Sequence, residues 1–204
     1  MKKILLLGSS SSSRQKLLMQ AQIPFHVVDQ SYNESLADRT KPFLQLVEAI
    51  AVQKMAHVTM PPAQKEGEHA FVLTADTMGQ DSKGVVHGKP MTKQEAIASI
   101  KALNGTGVVA TAFCLEKKVW RTGAWHTEKS IVRTVSALYE FDMPDAWIEK
   151  YVTAVPQYKD MSGGITIEGF GAQFLKTIQG SYSTIIGLPL FELREALEEL
   201  GFFN

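Results

Sequence analysis

Short apolar runs alternate along the chain with longer stretches whose apolar positions recur at helical spacing. Lys3 to Leu7 and Phe71-Val72-Leu73-Thr74-Ala75 predict buried strands, and Phe25 to Val28 predicts a short one beside them. Val108 to Leu115 and Ile131 to Phe141 predict two more, with the region from Trp120 to Trp125 supplying either another arm or a loop. After the serine run Ser9 to Ser13, a helix begins near Arg14, and Ser12 with Gln15 matches a capping box. Pro42 opens a helix through about Val58. Thr92 with Glu95 is a second capping box, opening a helix through Leu103 that Asn104-Gly105 ends. Pro144 sits near the first turn of a helix through Tyr151, and Leu190 to Leu200 predicts the closing helix. Strands alternate with helices, and hairpins interrupt the rhythm, which predicts an α/β fold with a mixed sheet. No internal repeat or linker divides the 204 residues, so residues 1–204 read as one domain.

The polar residues gain meaning from their places in this pattern. Asp76 follows the run Phe71 to Ala75 and is expected at the carboxyl end of that strand. Asp81-Ser82-Lys83-Gly84 has turn composition, so the chain should fold back and bring Lys89 to the same end of the sheet as Asp76. Strand, serine loop and helix start around Ser9, Ser11 and Arg14 form a candidate anion cradle, with amide N–H groups and hydroxyls as donors. A cation in the first turn opposes the helix macrodipole, so Arg14 is costly there unless an anion lies beside it. A flexible serine loop with a surface arginine is the alternative. Lys54 interrupts the apolar stripe Val47, Ile50, Val58 and either snorkels to water or meets a buried anion. Glu34 lies in the polar stretch Asp29 to Ser35, where an acid is ordinarily solvated.

Composition narrows the function without choosing it. Lys plus Arg and Asp plus Glu are 21 each, so no global basic field recruits nucleic acid or an anionic membrane. The single cysteine, Cys114, cannot form an intrachain disulfide, and no Cys/His cluster has zinc spacing, so a reducing compartment without structural zinc is expected. The apolar run after Lys2 and Lys3 stops at Gly8, too short for a secretory signal, and no window approaches a membrane span. The default is a cytoplasmic protein. Three cations and two acids, Arg14, Lys54 and Lys89 with Glu34 and Asp76, suit a polyphosphate with a divalent metal.

The order of these motifs resembles the Maf family of nucleoside triphosphate pyrophosphatases over nearly the whole chain. Ser9, Ser11, Arg14, Leu17 and Leu18 match its opening signature, Asn33-Glu34-Ser35 its acidic loop, and Lys54 its helix lysine. Ala75-Asp76-Thr77, Gly88-Lys89-Pro90, Gly180-x-Tyr182 and Ile185-Ile186-Gly187-Leu188-Pro189-Leu190 match the rest. The resemblance implies a strongly bent mixed sheet flanked by helices, with two lobes around a central cleft, as in Maf and inosine triphosphate pyrophosphatase-like proteins. It implies hydrolysis of a nucleoside triphosphate between the α and β phosphates in a house-cleaning role. A divalent metal, Mg or Mn, would be held by Glu34 and Asp76, and the chain would form a homodimer. Asp76, Glu34 and Lys89 would be catalytic, with Ser9, Ser11, Arg14 and Lys54 on the substrate.

Where many family members carry Asp-Lys-Ala-Gly-Ala-Tyr-Gly-Ile-Gln-Gly, this chain has Asp160 to Gly169 with Met161 and Glu168, and Asn104-Gly105-Thr106-Gly107-Val108 lacks the usual Thr-His. With Glu168-Gly169-Phe170-Gly171, these differences resemble the branch associated with 7-methyl-GTP rather than that associated with dTTP and UTP. Thr77 and Thr166 depart from the 7-methyl-GTP branch. An ionised Glu168 only accepts hydrogen bonds, which suits the adjacent N–H donors of a guanine edge. Phe170 could lie on a positively charged methylated base, or it is core and Glu168 a metal ligand or salt-bridge partner. The rival to an enzyme is a nucleotide-binding regulator linked to septum formation.

Overall fold

A computed structural model of the chain describes residues 3–63 and 65–204; Lys2, named above, lies outside the described residues. Strands β1 (Leu5–Leu7), β2 (Phe25–Val27), β3 (His69–Asp81), β4 (Val86–His87), β5 (Gly105–Arg121), β6 (Ala124–Phe141) and β7 (Leu175–Gln179) form one seven-stranded sheet. Its order is β2-β1-β3-β5-β6-β7, with β4 paired to β3. β1 is parallel to both β2 and β3, with Leu5 opposite Phe25 and Phe71, whereas β4 on β3 and β7 on β6 are antiparallel. The sheet is therefore mixed. Helices are α1 (Ser12–Gln20), α2 (Phe43–Ala56), α3 (Lys93–Leu103), α4 (Asp145–Ala154), α5 (Tyr182–Ile186) and α6 (Leu190–Glu199). No helix among the described residues is long and apolar enough to cross a membrane.

Two compact units divide the chain. One comprises residues 1–76, 112–134 and 187–204, the other 77–111 and 135–186. In the first, Met55 of α2 packs with Val72 and Cys114. Thr74 Oγ1 donates to the Ala51 carbonyl at 2.8 Å, tying α2 to β3. Burial pushes the Cys114 thiol up to about 11, beyond the help of its Ser130 contact, so it behaves as a small hydrophobe. The core of the second unit joins Ile100 and Leu103 of α3, Tyr139 and Phe141 of β6, Ile148 and Tyr151 of α4, and Phe174.

Three expectations shift. The strand through Phe71 continues to Asp81, so Asp76 lies mid-strand rather than at its carboxyl end. The apolar run stops at Ala75, but buried Met78 and pairing of Gly79 and Gln80 with β4 extend the strand. The cap of α1 is Ser11, whose Oγ accepts from the Arg14 N–H; Gln15 instead donates to the Ser10 carbonyl. The Trp120–Trp125 region is neither a separate arm nor a plain loop. It is the tip of a hairpin joining β5 to β6, with both connecting residues, Thr122 and Gly123, at positive φ and the two indoles edge-on.

The turn after Asp81 forms as composition predicts, and in the second unit it is locked by a carboxylate. Asp81 Oδ1 accepts from the Lys83 and Val85 N–H groups, and Oδ2 meets His87 Nε2 at 2.8 Å. Burial raises the Asp81 pKa, but His87 and the two amides outweigh it and leave it below its ordinary value. A depressed native pKa contributes stability above the unfolded value that disappears as pH falls through the native one. Asp81→Asn should therefore lower the urea midpoint at pH 7, and the gap from wild type should close below about pH 4. An equal gap at both pH values would show that the charge is not what stabilises the turn. Lys89 follows this hairpin and is exposed.

Candidate active site

The first unit holds six of the expected residues, Ser9, Ser11, Arg14, Glu34, Lys54 and Asp76, and simple periodicities bring two of them together. Side chains two apart on a strand share a face, so Asp76 points the same way as Thr74. On α2, Lys54 lies three residues beyond Ala51, on the same side of the helix. Because Thr74 is fastened to Ala51, Asp76 is brought under Lys54: Nζ lies 2.7 Å from Asp76 Oδ1. The same ammonium lies 2.7 Å from Glu34 Oε1, carried by a short 3-10 turn that Asn33 Oδ1 caps at the Ser35 N–H. Lys54 therefore does not snorkel; it is 6% exposed, and Asp76 is 4% exposed.

Arg14 turns inward from the first turn of α1. Its Nε donates to the Gly187 carbonyl at 2.8 Å, and a terminal nitrogen donates to Ser9 Oγ at 3.0 Å. Ser9 Oγ also accepts from the Ser11 N–H, so the serine loop packs around a buried guanidinium rather than carrying a surface arginine. Burial lowers the Arg14 pKa, while the charges of Asp76 and Glu34 oppose that shift. The guanidinium remains charged. The anion that offsets the unfavourable helix end is thus, in the first instance, the protein's own carboxylate pair. Gly187 was visible in the chain only as part of a motif; its role as the carbonyl that aims Arg14 has no local signal, because the two residues are far apart in sequence.

One oxygen in this group lacks a partner. Asp76 Oδ2 is buried and accepts no hydrogen bond among the described residues. A buried, unsatisfied carboxylate oxygen is costly, which points to a ligand that completes it. No group of three or more His, Cys, Asp or Glu side chains converges as a metal cage among the described residues. Glu34 and Asp76 would suit a magnesium-type ion only in the form that keeps several waters and is held by one or two carboxylates together with substrate phosphates.

The remaining expected residues belong to the second unit. Glu168 is partly exposed and begins a turn in which the Gly171 N–H donates to its carbonyl. The half-buried Phe170 packs beside other rings: its centroid lies 6.1 Å from those of Tyr151 and Phe174 and 6.3 Å from that of Trp147. Tyr182, half exposed at the start of α5, has its phenol pKa raised by burial and then by the charge of Glu168. Just after Asp76, Thr77 Oγ1 lies 2.9 Å from Thr111 Oγ1, which donates onward to the Thr184 carbonyl at 2.7 Å. The Thr111 proton is thereby used, so Thr77 is the donor in that pair.

Comparison with known families matches residues 4–200 to the family described as Maf-like protein. The chain belongs to the Maf family. Curated Maf relatives include a dTTP/UTP pyrophosphatase of Syntrophus aciditrophicus, 34% identical over 201 residues that cover 97% of this chain and 90% of that protein. The dTTP/UTP pyrophosphatase of Acholeplasma laidlawii is 33% identical over 208 residues, 98% of this chain and 97% of that protein. That of Caldicellulosiruptor bescii is 30% identical over 201 residues, 98% and 96% of the two chains. The mixed α/β architecture is consistent with a Maf fold.

Proposed function

We propose that this Maf protein hydrolyses a nucleoside triphosphate to the monophosphate and pyrophosphate. The observation that carries the reading is the Arg14, Lys54, Glu34 and Asp76 group, in which Asp76 Oδ2 has no hydrogen-bond partner among the described residues. It is supported by family membership and by the pyrophosphatase names of the relatives. Pure phosphate binding calls for cations; two carboxylates beside them call for a metal or a base. A divalent ion held by Asp76 and Glu34 would polarise the phosphate and make a bound water more acidic. Asp76 accepts the proton of the attacking water as a new P–O bond forms. The P–O bond to the leaving pyrophosphate breaks, and Arg14 and Lys54 neutralise the charge that builds there. Ser9 and Ser11 hold the loop that aims Arg14. Lys89 is assigned to the phosphate chain on its chemistry, as an exposed ammonium with three donors.

For the base, the acceptor-only carboxylate of Glu168 favours an edge with adjacent N–H donors, that of guanine or 7-methylguanine. The names of the relatives favour thymine and uracil. Pyrophosphate release from 7-methyl-GTP, GTP, dTTP and UTP, with Mg²⁺ and with Mn²⁺, tests both levels. The expected result is metal-dependent release, fastest from a guanine-type nucleotide, with Glu168→Gln moving the preference towards dTTP and UTP. A wild-type preference for dTTP or UTP that Glu168→Gln leaves untouched removes Glu168 from base reading. Saturable binding without release from any nucleotide favours the regulator.

A further inference from the structure

The Lys54 ammonium occupies the space in which a cation shared by Glu34 and Asp76 would have to sit. It lies 2.7 Å from an oxygen of each carboxylate, and with Arg14 the group holds two positive and two negative side chains. A divalent ion entering by itself would meet two carboxylates already neutralised and two cations already in place. The buried Asp76 Oδ2, which accepts no hydrogen bond among the described residues, stands ready for it. Lysine is suited to exchange: its ammonium is a compact point charge with three rotatable donors on a flexible stem, and it can follow a better anion. Arg14 has no such freedom, because its fork is tied to the Gly187 carbonyl and Ser9 Oγ.

We propose that Lys54 is an exchangeable counter-ion that closes Glu34 and Asp76 to a divalent cation until a phosphate chain draws its ammonium away. The inference rests on the pyrophosphatase reading for the identity of that chain. Phosphate and metal then assist each other, and by linkage the assistance is reciprocal. The protein alone takes up metal poorly. Removing the Lys54 charge while keeping an apolar stem of similar length uncouples the two: Lys54→Met leaves the carboxylates facing each other with no internal cation, and they bind metal without nucleotide.

The test is Mn²⁺ binding to the nucleotide-free protein, followed by electron paramagnetic resonance of the free ion. Lys54→Met should bind Mn²⁺ more tightly than wild type by about tenfold or more, within the range common for coupled sites. Lys54→Arg, which retains a cation, should stay as weak as wild type. Adding Asp76→Asn to Lys54→Met should abolish the gain. Should Lys54→Met fail to fold because its carboxylates repel, Mn²⁺ should restore the fold, read by circular dichroism and a thermal midpoint that rises with Mn²⁺. Equal Mn²⁺ affinity in wild type and Lys54→Met, tight or absent, overturns the proposal, as does an unfolded Lys54→Met that Mn²⁺ does not rescue. Pyrophosphate release by wild type is read separately. Release without the Lys54 contrast overturns this inference alone; the contrast without release overturns the catalytic reading and leaves the exchange intact.

Discussion

Asp76→Asn is expected to reduce kcat by about 10²–10⁴-fold, the span over which positioned acid–base groups act. The substitution keeps the shape and an oxygen that can still accept from Lys54, but it removes the charge and replaces one oxygen lone-pair site by an N–H₂ group. Lys54 retains Glu34 at 2.7 Å, so the ion pair is thinned rather than broken and the fold should persist. The loss should fall on kcat more than on KM, since in the proposed site Arg14 and Lys54 would still meet the phosphates. Steady-state pyrophosphate release decides it, with the thermal midpoint as a control. An Asp76→Asn enzyme with normal turnover would remove Asp76 from the chemistry and, with it, the main argument for a hydrolase here.

Gly171→Ala should have the largest effect on stability. A Cβ at Gly171 would stand 1.8 Å from the Thr166 carbonyl oxygen, which is backbone and cannot rotate aside. The segment cannot yield easily on the other side. Tyr151 Oη accepts from the Thr166 N–H at 2.8 Å, and Phe170 is held among Tyr151, Trp147 and Phe174. Overpacking of this kind costs about 3 kcal/mol or more. For a chain of this size that corresponds to a drop of about 6–12 °C in thermal midpoint. Because the Gly171 N–H donates to the Glu168 carbonyl, nucleotide preference should degrade as well if Glu168 reads the base as proposed. A variant that melts with wild type would mean that the turn from Glu168 to Phe174 relaxes freely and that Phe170 does not anchor it.

The features legible in the chain were those encoded within a few residues. The Thr92–Glu95 cap, the Asp81-Ser82-Lys83-Gly84 turn and the apolar strands are local, and each formed. Boundaries set by pairing were less legible. The first half of β6 is almost wholly exposed, with a polar run at Thr127-Glu128-Lys129-Ser130 that no apolar alternation marks. It is held as strand by backbone pairing and by cross-strand partners: Lys117 meets Glu128 at 2.6 Å, and Lys118 donates to Thr127 at 3.0 Å. The extension of β3 past Asp76 has the same origin, since a strand ends where its neighbours end and not where its apolar run does.

For the candidate site, the chain alone determined which residues were out of place: Lys54 on an apolar stripe, Arg14 at a helix start, Asp76 after a buried strand. It also determined the family, because many weak motifs in order make one specific pattern. Only the packed structure decided which of these charges answer one another. Lys54 meets Asp76 because the Thr74 hydroxyl fixes α2 over β3, and Arg14 is aimed by a carbonyl near the far end of the chain. Local pattern records the preferences of neighbouring residues, whereas a meeting of distant charges depends on the register of helix against strand. That register is set by the sum of many contacts, and no short stretch of sequence contains it.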